Sequence, residues 1–454
     1  MAPFIPEAAR GFRLPSLRVG RFPGGIALAL PWAVAAIAIL AAPGHATAQP
    51  AAQPYMPQDT VASQQVASRS RPEYDEVGIR EGSIFFYPVI TGSEEYNDNI
   101  YATQTGTKDD FISVVSPSLR MQSDWGRHEL HGLLKSDLGF YDMHDTEDYQ
   151  DYSGSIGGRY DISHASNFKS DAEYAHLHED RSSPDNVNGK TPTTYTEVGD
   201  DSSLTRQFGQ FTGAAQLHLD HLAYDSVTAT STSIPPSSGT ITNSDRNRYD
   251  TSEGLQVGYL FMPDYTAFVS GALQQNTYEK DRDRYGYNRN AQGYTLDTGM
   301  TVDLTTVLSV TGHVGYLSVG YADSRLQTVN GLGAGLNGIW NVTRLTTVKA
   351  DIARDTAPTT LQGAAAEYDT GGTVSVDHEL LPNVILSARA GYTNSEFTGI
   401  SRTDDDYLVG TSARYLIDNG VSLSAGFTHD ERDTNASGAG YGRDVFLVSL
   451  SYGL

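Results

Sequence analysis

The chain has 454 residues, no cysteine, 45 glycines, 27 tyrosines and a formal net charge of -24. Without cysteine there is no disulfide scaffold, thiolate metal site or thiol nucleophile. The acidic balance argues against a nucleic-acid partner, which would require an excess of Lys and Arg facing phosphates.

Residues 1–48 read as a secretory signal. Arg10, Arg13, Arg18 and Arg21 form a basic leader, an apolar stretch runs from Gly24 to Ala42, and Ala46-Thr47-Ala48 gives a small-residue cleavage pattern. A retained membrane anchor is the alternative, disfavoured by Pro31 inside the apolar run. Residues 49–80, rich in Pro, Gln, Ala and Ser, read as a disordered periplasmic lead-in. After Ala48 there is no run of 18 apolar residues, so a helical membrane span is not expected and any crossing must be made by strands.

From about Ser83 the dominant signal has period two. In 127–141, Leu130, Gly132, Leu134, Leu138 and Phe140 oppose Glu129, His131, Lys135 and Asp137. In 384–393, Val384, Leu386, Ala388, Ala390 and Tyr392 separate from Ile385, Ser387, Arg389, Gly391 and Thr393. Residues 406–417 and 420–429 repeat the pattern, which a helix would mix on every turn. A soluble sandwich alternates too, so connection length is the discriminator. Short turns fall at Asp124-Trp125-Gly126, Ser163–Ser166, Gln207–Gln210, Met262-Pro263-Asp264, Leu304–Thr306, Asn341–Thr343, Leu381-Pro382-Asn383 and Asp418-Asn419-Gly420. Between them lie longer polar connections near 97–108, 143–147, 182–192, 226–246, 281–287, 322–326, 358–364, 399–404 and 434–440. Short and long alternate, as in an outer-membrane barrel with tight periplasmic turns and larger external loops. The expected fold is therefore all-β: one transmembrane antiparallel up-and-down β-barrel over 81–454, of about 18 strands with 16 as the alternative. Periodicity is weakest in 193–206 and 327–341.

Tyr152, Tyr160, Tyr174, Tyr259, Tyr265, Tyr316, Tyr392 and Tyr415 fall on the apolar face, several near strand ends, as interfacial girdles require. In the final segment Phe446, Val448, Leu450 and Tyr452 share one face. They resemble the signal read by barrel-assembly machinery, although Gly453-Leu454 follow the last aromatic.

Residues 94–128 contain Glu95-Tyr96-Asn97-Asp98-Asn99-Ile100-Tyr101, then Asp109-Asp110-Phe111, Pro117 and Ser123-Asp124-Trp125-Gly126-Arg127-His128. With Asp148-Tyr149, Asp151-Tyr152 and Glu179-Asp180-Arg181, this resembles the beta-barrel porin 2 group, outer-membrane barrels common in alphaproteobacteria. The resemblance extends over about 80–454, with its specific motifs in the first hundred residues. It implies a bacterial outer-membrane location and, because some members accompany exopolysaccharide or capsule export, passage of a glycan. Read physically, Asn97, Asp98 and Asn99 suit an external turn, and Trp125 suits a periplasmic turn at the lipid interface.

The opposite strand parity gives pore-lining candidates Arg120, Glu129, His131, Lys135, Asp137, Arg159, Asp161, Lys169, Asp171, Glu173, Lys349, Asp351, Asp377, Arg389 and Arg414. Both signs interleave, which keeps a wall wet and rigid rather than making a one-sign ion filter. Asp142, Asp145, Glu147, Asp148, Asp281, Asp283, Asp404, Asp405, Asp430, Glu431 and Asp433 fall near external loops and read as a solvated rim. Capture of divalent cations shared with lipopolysaccharide is the alternative. Asp281–Asn288 looks passingly like a calcium loop but lacks the closing bidentate Glu.

No Gly-x-Ser-x-Gly elbow occurs, and His176-x-His178 has no third ligand in sight. Neither an enzyme nor a cofactor or metal site is expected. The expected function is an outer-membrane channel passing a hydrophilic polymer such as exopolysaccharide. The rivals are a general diffusion porin, with loop 226–246 folded into its lumen, and a non-conducting structural or adhesion barrel. Expected partners are outer-membrane lipid and lipopolysaccharide, the assembly machinery and, for export, a periplasmic polysaccharide-export complex.

Overall fold

A computed structural model describes residues 65–233, 235, 239–304 and 307–454. The signal segment and residues 49–64 of the lead-in lie outside the described residues. Eighteen long strands follow one another. They are β1 Ile84–Asn97, β2 Asp110–Ser123, β3 Glu129–Tyr141, β4 Tyr149–Ser163, β5 Ser166–His178 and β6 Thr194–Phe208. Next come β7 Phe211–Tyr224, β8 Arg248–Met262, β9 Tyr265–Tyr278, β10 Ala291–Leu304, β11 Leu308–Tyr321 and β12 Val329–Thr343. The last are β13 Thr346–Pro358, β14 Ala366–Leu381, β15 Val384–Phe397, β16 Thr403–Asp418, β17 Val421–Thr434 and β18 Tyr441–Gly453.

Each strand pairs antiparallel with the next, and β18 returns to β1, from Val89 opposite Gly453 to Asn97 opposite Val445. The sheet thus closes without an edge, as a sheet in hydrocarbon must, because unpaired N–H and C=O groups would find no water there. Connections at one end are short (164–165, 209–210, 382–383), and those at the other reach 179–193 and 225–247. One expected turn moves. Asn341–Thr343 belongs to β12, where a bulge lets the chain stay paired, and the turn falls at 344–345.

The outer face is apolar and exposed, with Leu255 at 69%, Leu273 at 64% and Val269 at 62%. All eight tyrosines assigned to that face from sequence lie on it. Rings meet across strands in two belts, Tyr392 with Tyr407 (5.2 Å) towards the loops and Phe211 with Tyr259 (4.9 Å) towards the turns. Phe446, Val448, Leu450 and Tyr452 also point outward and are about half exposed. Because this face meets lipid, Val269→Arg on β9, four residues outward of the girdle residue Tyr265, is expected to cost about 2–4 kcal/mol in urea unfolding from lipid vesicles. An unchanged stability would contradict that assignment.

Residues 65–78 depart from the disordered lead-in expected for 49–80. Val66 is fully buried against Ile385 and Leu416, and its N–H donates to Thr347 Oγ1 at 3.0 Å. Arg71 Nη2 pairs with Glu379 Oε2 at 2.6 Å, Gly420 N–H donates to Tyr74 O, and Glu76 pairs with Arg120 at 3.4 Å. The segment therefore follows the inner side of the periplasmic rim from β13 to β1, ending in the short strand Ile79–Glu81, which folds back on Ile84–Phe86. Low local hydrophobicity hid this order, because its partners are supplied by strands some 280 residues away.

Candidate functional site: lumen wall and outer mouth

Strand parity places Arg120, Glu129, His131, Lys135, Asp137, Arg159, Asp161, Lys169, Asp171, Glu173, Lys349, Asp351, Asp377, Arg389 and Arg414 on the face opposite the lipid belt. Several meet. His131 Nε2 lies 3.0 Å from Asp171, Lys135 pairs with Asp137 at 2.6 Å, and Arg159 reaches both Asp161 (3.2 Å) and Glu129 (3.5 Å). Across the barrel Lys349 pairs with Asp377 at 3.2 Å, and Asn337 donates to Asp351 at 2.9 Å.

The charge mixture is not uniform. From β6 to β10 the inner face carries Glu197, Asp201, Asp220, Asp250, Asp297 and Asp303 against Arg248 and His218. His218 is held between Asp201 (2.8 Å) and Asp220 (2.9 Å). Sequence reasoning missed this acidic sector because it begins in 193–206, where alternation is weakest. A second missed feature is a collar of inward tyrosines at the loop ends of the strands: Tyr141, Tyr149, Tyr195, Tyr224, Tyr278 and Tyr321. Tyr195 stacks on Tyr224 at 5.2 Å, Tyr149 on His178 at 4.2 Å, and the Arg246 guanidinium lies 3.9 Å from the Tyr224 ring centre. Their signal was present, as Tyr at strand ends on the polar parity.

The family-motif residues tie loops to wall. Asn97 Oδ1 accepts from Asn99 N–H at 2.9 Å, and the fully buried Asn99 donates to Thr103 O and Gly442 O. Asp110, also fully buried, accepts from the N–H groups of Met143 and His144 and lies 2.7 Å from His144 Nδ1. Asp98 Oδ1 accepts from Asp444 N–H, and Tyr101 meets His144 edge-on at 5.8 Å. Tyr96 and Phe111 pair on the lipid face at 5.1 Å, and Pro117 shares that face. At the opposite end Asp124 pairs with Arg80, Trp125 Nε1 donates to Ser83 Oγ at 2.8 Å, and His128 stacks on Tyr160 at 4.6 Å.

The outer mouth is crossed by loop 179–193 rather than by 226–246 alone. Asp180 reaches Arg443 on β18 (3.5 Å), and Ser182 O accepts from Arg432 on β17 (2.8 Å). Asp185 accepts from Thr359 Oγ1 (3.0 Å) and Thr360 N–H (2.9 Å) in the β13–β14 loop, on the far side of the barrel. Arg181 forks onto Glu147 (2.7 and 2.8 Å), and Glu179 accepts both Arg246 Nη atoms (2.6 and 3.1 Å). Loop 225–247 buttresses this lid from behind through an apolar contact of Val187 with Val227 and Ile241. The 359–365 loop is itself drawn inward by Arg289, which donates to the carbonyls of Thr359, Leu361 and Ala364 and pairs with Asp283 at 2.6 Å.

Burial pushes the Asp180 carboxyl up, but Arg443 and the Ser182 N–H outweigh it and leave it below the usual carboxylate range. Asp245, likewise desolvated, is held low by Arg284. Among the described residues no group of three or more His, Asp or Glu side chains is arranged to hold a metal ion.

Residues 71–453 match the family described as "Putative beta-barrel porin 2". No curated protein matches. Among solved structures the chain is similar to OccK3 (OpdO) of Pseudomonas aeruginosa, with 15% identity, TM-score 0.42, and 82% of this chain and 95% of that chain covered. It is also similar to OccAB4 of Acinetobacter baumannii (11%, TM-score 0.43, 83% and 99% covered). A third is a mutant of the ferric enterobactin receptor PfeA of Pseudomonas aeruginosa (8%, TM-score 0.46, 81% and 80% covered).

Proposed function

The chain belongs to the Putative beta-barrel porin 2 family and is an outer-membrane porin-like β-barrel channel, and from that premise we propose that it passes small hydrophilic solutes, preferring cations, through a mouth restricted by loop 179–193. The observation that carries this reading is the lid itself. Four arginines with buried side chains on the wall and loops (Arg181, Arg246, Arg432 and Arg443) hold it across the lumen, so the mouth is covered rather than an open shaft. Below it, the acidic β6–β10 sector lowers the potential for cations and raises it for anions. In planar bilayers under a potassium chloride gradient, the reversal potential should report cation preference. That preference should fall severalfold in a Glu197→Gln, Asp201→Asn, Asp220→Asn variant, as expected when fixed charge is removed from a confined pore. Anion preference in the unaltered protein would refute the reading.

Glycan export is the second reading, favoured by the tyrosine collar, whose ring faces suit the apolar faces of sugar rings. It requires the lid to swing clear of the mouth and a periplasmic complex to deliver the polymer. Unchanged secreted glycan after deletion of the gene would remove it.

A further inference from the structure

The ladder between β12 and β13 stops short. Its last pair at the loop end is Ala334 with Arg354, whereas β12 stays paired with β11 up to Val329 and β13 with β14 up to Pro358. Residues 329–333 and 355–358 therefore face each other across a cleft. Its cause is the inward lean of the β13–β14 tip. Ala366 and Tyr368 share the parity of the lipid-exposed Val374, yet they are buried in one cluster with Leu317, Val319 and Val329 of the inner face. Tyr368 Oη crosses to donate to Leu332 O at 2.7 Å.

The cleft begins where hydrocarbon ends. On one side Arg354 pairs through Ala334 to Val314, two residues inward of the belt residue Tyr316. On the other it pairs through Thr370 to Asn394, two residues outward of the belt residue Tyr392. Strand tilt carries one line below the belt and the other above it, so Arg354 itself stands at belt depth. Unpaired strand edges are tolerated there because water reaches them.

Arg354 has the parity of Ile352, which is 50% exposed to lipid. Among the described residues of the long strands, the other Arg or Lys with lipid-facing parity is Arg206, at the turn end of β6. The Arg354 guanidinium lies 4.8 Å from the Tyr368 ring centre, its buried Nε has no acceptor, and it makes no ion pair among the described residues. Asp355 and Asp369, its acidic neighbours on β13 and β14, have the lumen-facing parity. Beside it, Leu332 joins a shallow apolar groove floored by Gly315 and walled by Leu296, Val314 and Tyr316, just below the belt pair Tyr294–Tyr316.

We propose that this cleft binds a phosphorylated lipid of the outer leaflet, its phosphate on Arg354 and one acyl chain along the groove. An unmatched guanidinium at headgroup depth complements a phosphate, which it can hold through two parallel hydrogen bonds. The apolar trough beneath it removes part of the chain from contact with its neighbours.

Native mass spectrometry of the purified full chain in detergent, titrated with diphosphoryl lipid A, tests the site. Arg354→Gln should weaken binding of the first lipid by about tenfold or more, as loss of a charged hydrogen bond implies. Leu332→Asn should weaken it severalfold, and Arg206→Gln should leave it unchanged, with heat-modifiable mobility on gels confirming that each barrel is folded. Dephosphorylated lipid A should bind as weakly to the unaltered protein as lipid A binds to Arg354→Gln, and millimolar inorganic phosphate should not compete. Equal binding by the unaltered protein and Arg354→Gln would overturn the proposal, as would equal losses in Arg354→Gln and Arg206→Gln. Full competition by inorganic phosphate would reduce the cleft to a free-anion site and overturn the lipid assignment.

Discussion

Arg443→Ala is expected to raise the open fraction of single channels by about two orders of magnitude. The Arg443 side chain is 7% exposed and bridges Asp430 (2.9 Å) on the wall to Asp180 (3.5 Å) in the lid. Removing it strands two buried carboxylates, and breaking a buried pair in this way costs about 3–5 kcal/mol. The wall cannot relieve that cost, but the lid can, by carrying Asp180 into water. A bias of about 3 kcal/mol is a shift of about a hundredfold between two states. Arg443→Lys keeps the charge but loses the fork and should fall between. Unchanged conductance in the alanine variant would show that the lid does not limit the path. The pH dependence has a definite sign. Because the Asp180 carboxyl sits below its ordinary value, its contribution to closure is fully present above about pH 4 and is lost as pH falls through the lower folded value. The Asp180 contribution to closure should thus be flat between pH 5 and pH 7 and fall only under stronger acid.

Val66→Asp is expected to release the amino-terminal segment and to accelerate trypsin cleavage after Arg69 by about a hundredfold or more. Val66 fills an apolar pocket of Ile385 and Leu416 with no exposed surface. A carboxylate there would be pushed into an apolar pocket, and burying a charge in such surroundings costs several kcal/mol. Detachment also breaks the Arg71–Glu379 pair, so docking is cooperative and local opening should involve the whole segment. Val66→Ala keeps the polarity and should loosen the segment much less. Limited proteolysis of purified protein in detergent distinguishes these outcomes, and equal cleavage rates in all three proteins would refute the docking energetics.

The fold was legible because a barrel in lipid is specified locally. Alternation in segments such as 384–393 assigns faces without knowledge of partners, and Asp418-Asn419-Gly420 announces its own turn. The Asn341–Thr343 error shows the limit, since turn-like residues can sit in a bulge whose existence depends on β13. The lid was not legible for a related reason. The length of loop 179–193 is plain in the sequence, but its inward path is fixed by Asp180 and Arg443, 263 positions apart.

The lid seats on the external ends of β13, β14, β17 and β18, and the amino-terminal segment grips the same stretch of wall from β13 to β18 at the opposite rim. That arc works as a common beam with a load at each end. A pull on the tail from the periplasm is borne by the same strands that anchor the cover outside.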